Sequence, residues 1–266
     1  MAASPRSASH FRIPMPREHG TYGMLGIPLV VALASGGPRL ASLALALGAV
    51  AGFLAHESLL IVIGQRGQRL RTNEGAVARN ALRLRGGAAL VFGAVGFFAL
   101  ASVARGWLAL PIGLAVVMAG LVALGRERTT GGEVVASVGL SAWAVPVAVA
   151  GGVPVPGALC IWAVFGAGYV VSTLAVRAVI LSHKPRATPA LRILTCAVSV
   201  GFAVLGFLVA RGLGLSVLLP LALLGFCAMA LVLAARPPHP RNLERIGWSS
   251  IAVSVLTTGL VLAALA

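Results

Sequence analysis

The sequence predicts an all-α, polytopic bundle of about nine transmembrane helices, on three observations. Of its 266 residues 59% are hydrophobic and 10% charged, with a mean hydropathy of +0.98. A water-soluble domain of this length could not bury so much apolar surface. The apolar residues fall into nine stretches of about 17 residues or more, each enough to cross roughly 30 Å of hydrocarbon as a helix. The basic residues, which give a net charge of +15, collect in alternate gaps between these stretches. Lipid offers no partner to free backbone N–H and C=O groups, so the spans must be helices or a closed barrel. Period-2 alternation is absent, which excludes the barrel.

Residues 1–13 are polar and Arg-bearing and are expected to be a disordered cytoplasmic segment; 14–266 then form a single membrane domain. No cleavable signal peptide is visible. The first two stretches, 20–36 and 41–64, are separated by Gly37-Pro38. The next pair, 86–104 and 107–124, turns at Arg105-Gly106. The stretches 134–150 and 155–182 turn at Gly151–Pro154, and 193–210, 213–234 and 246–266 complete the set. Such short connections predict antiparallel hairpins for pairs 1–2, 3–4, 5–6 and 7–8. The long gap 65–85 reads either as a solvated loop or, over 74–85, as a basic amphipathic helix on the membrane surface. Gly48 with Gly52, and Gly93 with Gly96, supply small faces for close helix packing. Pro28 and Pro146 sit deep in their spans and are expected to kink them.

Arg6, Arg12 and Arg17 precede the first stretch, six arginines fill the 2–3 gap, and the 4–5, 6–7 and 8–9 gaps are also basic. The other side has Arg39, Arg105 and Arg211. The positive-inside rule places the N-terminus in the cytoplasm and the C-terminus outside. That distribution accounts for the charge without nucleic acid, and no stacking aromatics accompany the arginines. Cys160, Cys196 and Cys227 lie inside spans without CxxC or Cys/His pairing and read as small core residues.

An ionisable group inside a membrane helix costs about 2.5–3.5 kcal/mol on insertion scales, so each one asks for a reason. His56 and Glu57 lie about two turns before the cytoplasmic end of the second stretch. Arg177 lies near the same end of the sixth, in register with Thr173 and Tyr169 on one helix face. Glu133 opens the fifth, in line with Ser137 and Ser141, and Glu18 and His19 precede the first. All these groups fall in the cytoplasmic half. Two arrangements follow. In one, His56, Glu57, Glu133, Tyr169, Thr173 and Arg177 line a cavity open to the cytosol, with Glu18 and His19 as further ligand-binding candidates. In the other, Arg177 pairs with Glu57 or Glu133 to neutralise a buried charge. HExxH, GxSxG, Walker A and GxGxxG patterns are absent, and the chain contains no Asp. No metal ligand set, cofactor site or catalytic residue is therefore assigned.

The tract PREHGTYGMLGIP (Pro16–Pro28) resembles the N-terminal signature of the YwiC-like membrane proteins, and AHESLLIVIGQRG (Ala55–Gly67) resembles a second stretch found in their relatives. The resemblance implies a multi-pass protein of the bacterial inner membrane and no established activity. A more distant likeness is to UbiA-type prenyltransferases, nine-helix bundles whose Asp-rich motifs bind Mg²⁺ near the ends of helices 2 and 6. Here those places hold His56-Glu57 and Tyr169/Thr173/Arg177, so none of those enzymes' catalytic residues carries over. Three functions are open. One is a binding protein whose cavity holds a lipophilic anion, such as an isoprenoid phosphate or quinone-like lipid. The second is a UbiA-like transferase, which alone would require Mg²⁺, with Glu57 and Glu133 as its only carboxylate pair. The third is a proton-linked transporter of a small solute.

Overall fold

The computed structural model describes residues 19–184 and 188–266. Nine helical spans account for most of them. In chain order these are α1 (His19–Gly36), α2 (Leu40–Val62), α3 (Gln68–Ala99), α4 (Ser102–Ala123), α5 (Thr130–Gly151), α6 (Val155–Ser182), α7 (Ala190–Gly212), α8 (Leu218–Ala235) and α9 (Leu243–Leu265). The last eight are long and apolar enough to cross a membrane, and α1 is a shorter apolar helix. The segment 1–13, expected to be disordered, lies outside the described residues.

α6 is the hub. In its most apolar window 61% of residues are buried, against 6% for α3, 17% for α4, α7 and α9, and 50% for α8. α5, α7 and α8 pack along it, with α1 and α9 touching it as well. Its glycines permit this: a Cβ on Gly168 would overlap the Phe226 ring of α8, and one on Gly166 would lie 3.4 Å from the Ser141 hydroxyl of α5. In lipid no hydrophobic force drives helices together, so contact depends on such close backbone approach.

The expected hairpins are corrected in part. α5–α6 and α7–α8 pack as pairs. α1 and α2 touch little, and α1 lies instead against the second half of α5 and against α9; α3 and α4 hardly meet. The most extensive helix pairing is α2 with α3, across the basic gap. The small faces explain it. A Cβ on Gly48 would lie 3.1 Å from the Gly93 backbone nitrogen, and one on Gly96 would lie 2.7 Å from Leu45.

The basic gap itself is corrected too. It is neither a solvated loop nor a separate surface helix, because α3 runs unbroken from Gln68 for 32 residues. At about 1.5 Å per residue this exceeds a hydrocarbon layer, so the Arg-rich first turns extend beyond the apolar zone. The turn into α3 is short: Gly64 takes φ +87 and closes α2, with Gly64 N–H donating to the Ile61 carbonyl and Gln65 N–H to that of Leu60. At the opposite end α3 stops at Leu100-Ala101, earlier than the expected Arg105-Gly106. Arg105 turns back to donate to the Leu100 carbonyl at 3.1 Å and lies 4.9 Å over the Phe97 ring. A residue read as the turn thus caps the preceding helix.

α5 breaks at Trp143, three residues before Pro146, which has no N–H to give the preceding turn. Its first part contacts α4 and α6; its second part, Ala144–Gly151, still touches α6 but packs mainly against α1 and gains α2. Gly151 there meets Gly36 so closely that a Cβ on either would sit about 3 Å from the other's backbone. Pro28 does not interrupt α1.

Gly168→Ala should therefore destabilise the bundle by about 1–3 kcal/mol through overpacking against Phe226. Adding Phe226→Leu should recover part of that loss, whereas Gly87→Ala, which meets nothing within 4 Å, should be silent in thermal unfolding of the detergent-solubilised protein.

Candidate functional site: a charged network at the Arg-rich end

The turn between α4 and α5 organises the polar residues. α4 closes with Gly125 at φ +66, and Arg126 N–H reaches back to the Leu121 carbonyl at 2.8 Å. These are the bonds of a glycine-terminated helix end. α5 then opens on Thr129, whose Oγ1 accepts from the Gly132 N–H at 3.1 Å. The chain doubles back so tightly that a Cβ on Gly132 would run into the Glu127 carbonyl oxygen. Between these two caps, Glu127 and Arg128 are presented to opposite neighbours.

On one side stands Arg66, in the turn after α2. Its Nε and NH2 donate to the two Glu57 carboxylate oxygens at 2.9 and 2.7 Å, and its NH1 donates to Glu127 Oε1 at 3.0 Å. The three side chains are only 12–18% exposed. A fork of this kind matches guanidinium to carboxylate geometry. Gln65 adds a bond from its side-chain amide to the Val122 carbonyl at 3.2 Å. His56 is half-buried and lies within electrostatic reach of Glu57, Glu127 and Arg66.

On the other side stands Arg177 of α6. Its Nε donates to Glu133 Oε2 at 2.5 Å, and its NH2 donates both to Glu133 Oε1 and to the backbone carbonyl of Arg128. Its NH1 has no partner among the described residues. Three half-buried carboxylates thus face Arg66, Arg177 and the exposed Arg128, which is 3.8 Å from Glu127. The network runs from α2 through one turn to α5 and α6.

Among the residues singled out from the sequence, the structure brings Arg177 onto Glu133 and sets His56 beside Glu57, in two clusters joined through Glu127 and Arg128. Tyr169 is buried deeper. Its hydroxyl donates to the Gly23 carbonyl of α1 at 3.1 Å, and its ring packs edge-on against Phe226 with centroids 5.6 Å apart. Thr173, one turn from Arg177, is 8% exposed, and its hydroxyl has no hydrogen-bond partner among the described residues. Most helical hydroxyls here bond the carbonyl four residues back, as Ser172 does to Gly168 at 2.8 Å. The hydroxyls of Ser58, beside Glu57, and of Ser35, at the opposite end, are unpartnered as well. Glu18 and the side chain of His19 lie outside the described residues.

Arg66 and Glu127 were not anticipated as site residues. One signal was available: Glu127 is one of only six acidic residues, placed between two arginines in an otherwise basic gap. Two clefts are formed elsewhere. One lies between α8 and α9 at the Arg-rich end, and the other is an apolar groove among α6, α7 and α8.

A bundle of apolar helices with its charges gathered at one end is an integral, multi-pass membrane protein. A family model described as YwiC-like protein matches residues 15–149, about half of the chain, and the chain belongs to that family. The match covers α1 to the second half of α5 and includes Glu57, Arg66, Glu127 and Glu133. No curated protein and no solved structure matches the chain.

Arg66→Gln should leave two poorly hydrated carboxylates together and cost toward the lower end of roughly 3–5 kcal/mol. Adding Glu57→Gln to Arg66→Gln should cost less than Arg66→Gln alone. That non-additivity, measured by thermal unfolding in a double-mutant cycle, is the mark of a coupled pair.

Proposed function

We propose that this protein binds a lipophilic anion, such as an isoprenoid phosphate or quinone-like lipid, at its Arg-rich end. The carrying observation is the pair of unused donors on one face of α6: the Arg177 NH1 group, and the Thr173 hydroxyl one turn deeper. A buried hydroxyl without a partner forfeits on the order of 1–3 kcal/mol. An acceptor entering beside Arg177 would recover it. Arg177 then supplies the charge-assisted bond, Thr173 a second bond, and the surrounding helices the apolar wall. Glu133 is the resident counter-ion. It is 36% exposed, so it can turn toward water when an anionic headgroup takes its place. Glu57 and His56 belong to the neighbouring cluster and keep the α4–α5 turn in position.

The transferase reading is less well supported. Its two carboxylates, Glu57 and Glu133, each face a guanidinium, and the pair that does converge, Glu57 with Glu127, clasps Arg66. A divalent cation would have to displace an arginine. The proton-linked reading would use His56, Glu57 and Arg177, of which Glu57 and Arg177 are each held in an ion pair. With the basic gaps at the inner face of a bacterial membrane, the binding site opens to the cytoplasm and the C-terminus lies outside.

Native mass spectrometry of gently extracted protein should find a co-purifying amphiphilic anion. Thr173→Val and Arg177→Gln should each lower its occupancy about tenfold, and Glu133→Gln should raise it, by the value of one charge-assisted bond. A lipid complement matching the bulk membrane, unchanged in all three folded variants, would defeat the proposal.

A further inference from the structure

The cleft between α8 and α9 is independent of the Arg177 site. Its volume is about 430 Å³, within the range of sites that hold small ligands. Its walls are sorted by polarity. α8 contributes Met229, Val232 and Leu233, the connection before α9 contributes Asn242, and the first turns of α9 contribute Arg245, Ser249 and the apolar Ile246. The polar wall therefore stands at the Arg-rich end, where headgroups meet the apolar zone, and the apolar wall runs inward along the hydrocarbon.

The charge on that wall is uncommitted. Several arginines at this end are held by the protein: Arg66 by Glu57 and Glu127, Arg177 by Glu133, Arg85 by the Leu54 carbonyl, and Arg192 by the Ala234 and Ala235 carbonyls. The guanidinium of Arg245 is exposed and has no partner among the described residues. Glu244, its neighbour in sequence, is exposed too and forms no ion pair with it. The side-chain amide of Asn242, one turn earlier, is likewise unpaired among the described residues. Arg236 and Arg241 stand in the same connection and add positive field. Trp248, 66% exposed on the same helix, is the amphipathic residue favoured at the membrane–water boundary.

We infer that this cleft is a binding site for an anionic phospholipid of the surrounding bilayer. Its phosphate meets Arg245 and Asn242, and one acyl chain lies against Met229, Val232, Leu233 and Ile246. Charge selects the occupant. A zwitterionic lipid fills the apolar half equally well but brings its own cation to a wall that already carries Arg245. Free inorganic phosphate meets the polar half and gains nothing from the apolar one.

The test is a native mass-spectrometric titration of the detergent-purified full chain with phosphatidylglycerol, phosphatidylcholine of the same acyl chains, and inorganic phosphate. Phosphatidylglycerol should bind about fivefold more tightly than phosphatidylcholine, the preference expected of one uncommitted arginine near a lipid surface. Arg245→Gln should abolish the preference and Arg245→Lys should retain much of it, while Arg211→Gln, at the opposite end, should not alter it. Met229→Trp, which fills the apolar half without changing charge, should weaken both lipids and so guards against a misfolded Arg245→Gln protein. Equal binding of the two lipids, a preference that survives Arg245→Gln, or competition by inorganic phosphate at equal concentration would overturn the inference. In an Arg177→Gln background the same preference is expected, so failure of this inference and failure of the proposed function are read separately.

Discussion

Charge that cannot be hydrated must be answered by charge, and in this bundle one turn provides the answer. Moving an ion out of water costs several kcal/mol, which only close pairing and complete hydrogen bonding offset. The α4–α5 turn sends the Glu127 side chain to Arg66 and the Arg128 carbonyl to Arg177. Two forks that would otherwise be separate are thereby fixed relative to each other. The local sequence makes this possible, since Gly125 ends one helix in the left-handed region, Thr129 caps the next, and Gly132 leaves room for the backbone between them. Three carboxylates against three guanidiniums make the cluster neutral, although it sits in the most basic part of the chain.

The same constraint shapes the packing. α6 carries Arg177, so it must stand near α5 and its Glu133, and its small residues allow that approach along the rest of its length. α5 in turn cannot remain straight and serve every neighbour. The break at Trp143, set by Pro146, lets the first half stay with α4 and α6 while the second, still against α6, also reaches α1 and α2. The close Gly36–Gly151 contact fixes that crossing at the far end. Tyr169 joins these layers midway by reaching from α6 to the Gly23 carbonyl of α1.

Hydropathy made the spans legible. The sixth, expected at 155–182, is observed over Val155–Ser182, because Pro154 starts it and polar residues end it. Helix termination was less legible. A hydropathy window registers where a chain crosses lipid and not where its hydrogen bonds stop, so the basic continuation of α3 read as a gap. Arg105 read as a turn because its role as a cap depends on a chain reversal the window cannot see. At the candidate site, the sequence narrowed the partner of Arg177 to Glu57 or Glu133, and geometry selected Glu133. Glu127 escaped notice because it lies outside every span, where a carboxylate carries no apparent cost. Only the fold shows that its turn is folded inward until the side chain is 12% exposed.

The arginines at this end thus divide into two kinds that composition cannot separate. The positive-inside rule counts all of them alike, because insertion responds to charge in short connections. Once the bundle is folded, Arg66, Arg85, Arg177 and Arg192 direct donors to carboxylates and backbone carbonyls, and their charge is largely cancelled or locked in place. The donor capacity left over includes one edge of Arg177 beside the Thr173 hydroxyl, and the guanidinium of Arg245 above an apolar wall. A site for an anion is set by unused donors next to apolar surface, not by the density of positive charge. By that measure Arg66 and Arg85, at the two ends of the six-arginine gap and already bonded within the protein, are weaker candidates than two residues much further along the chain.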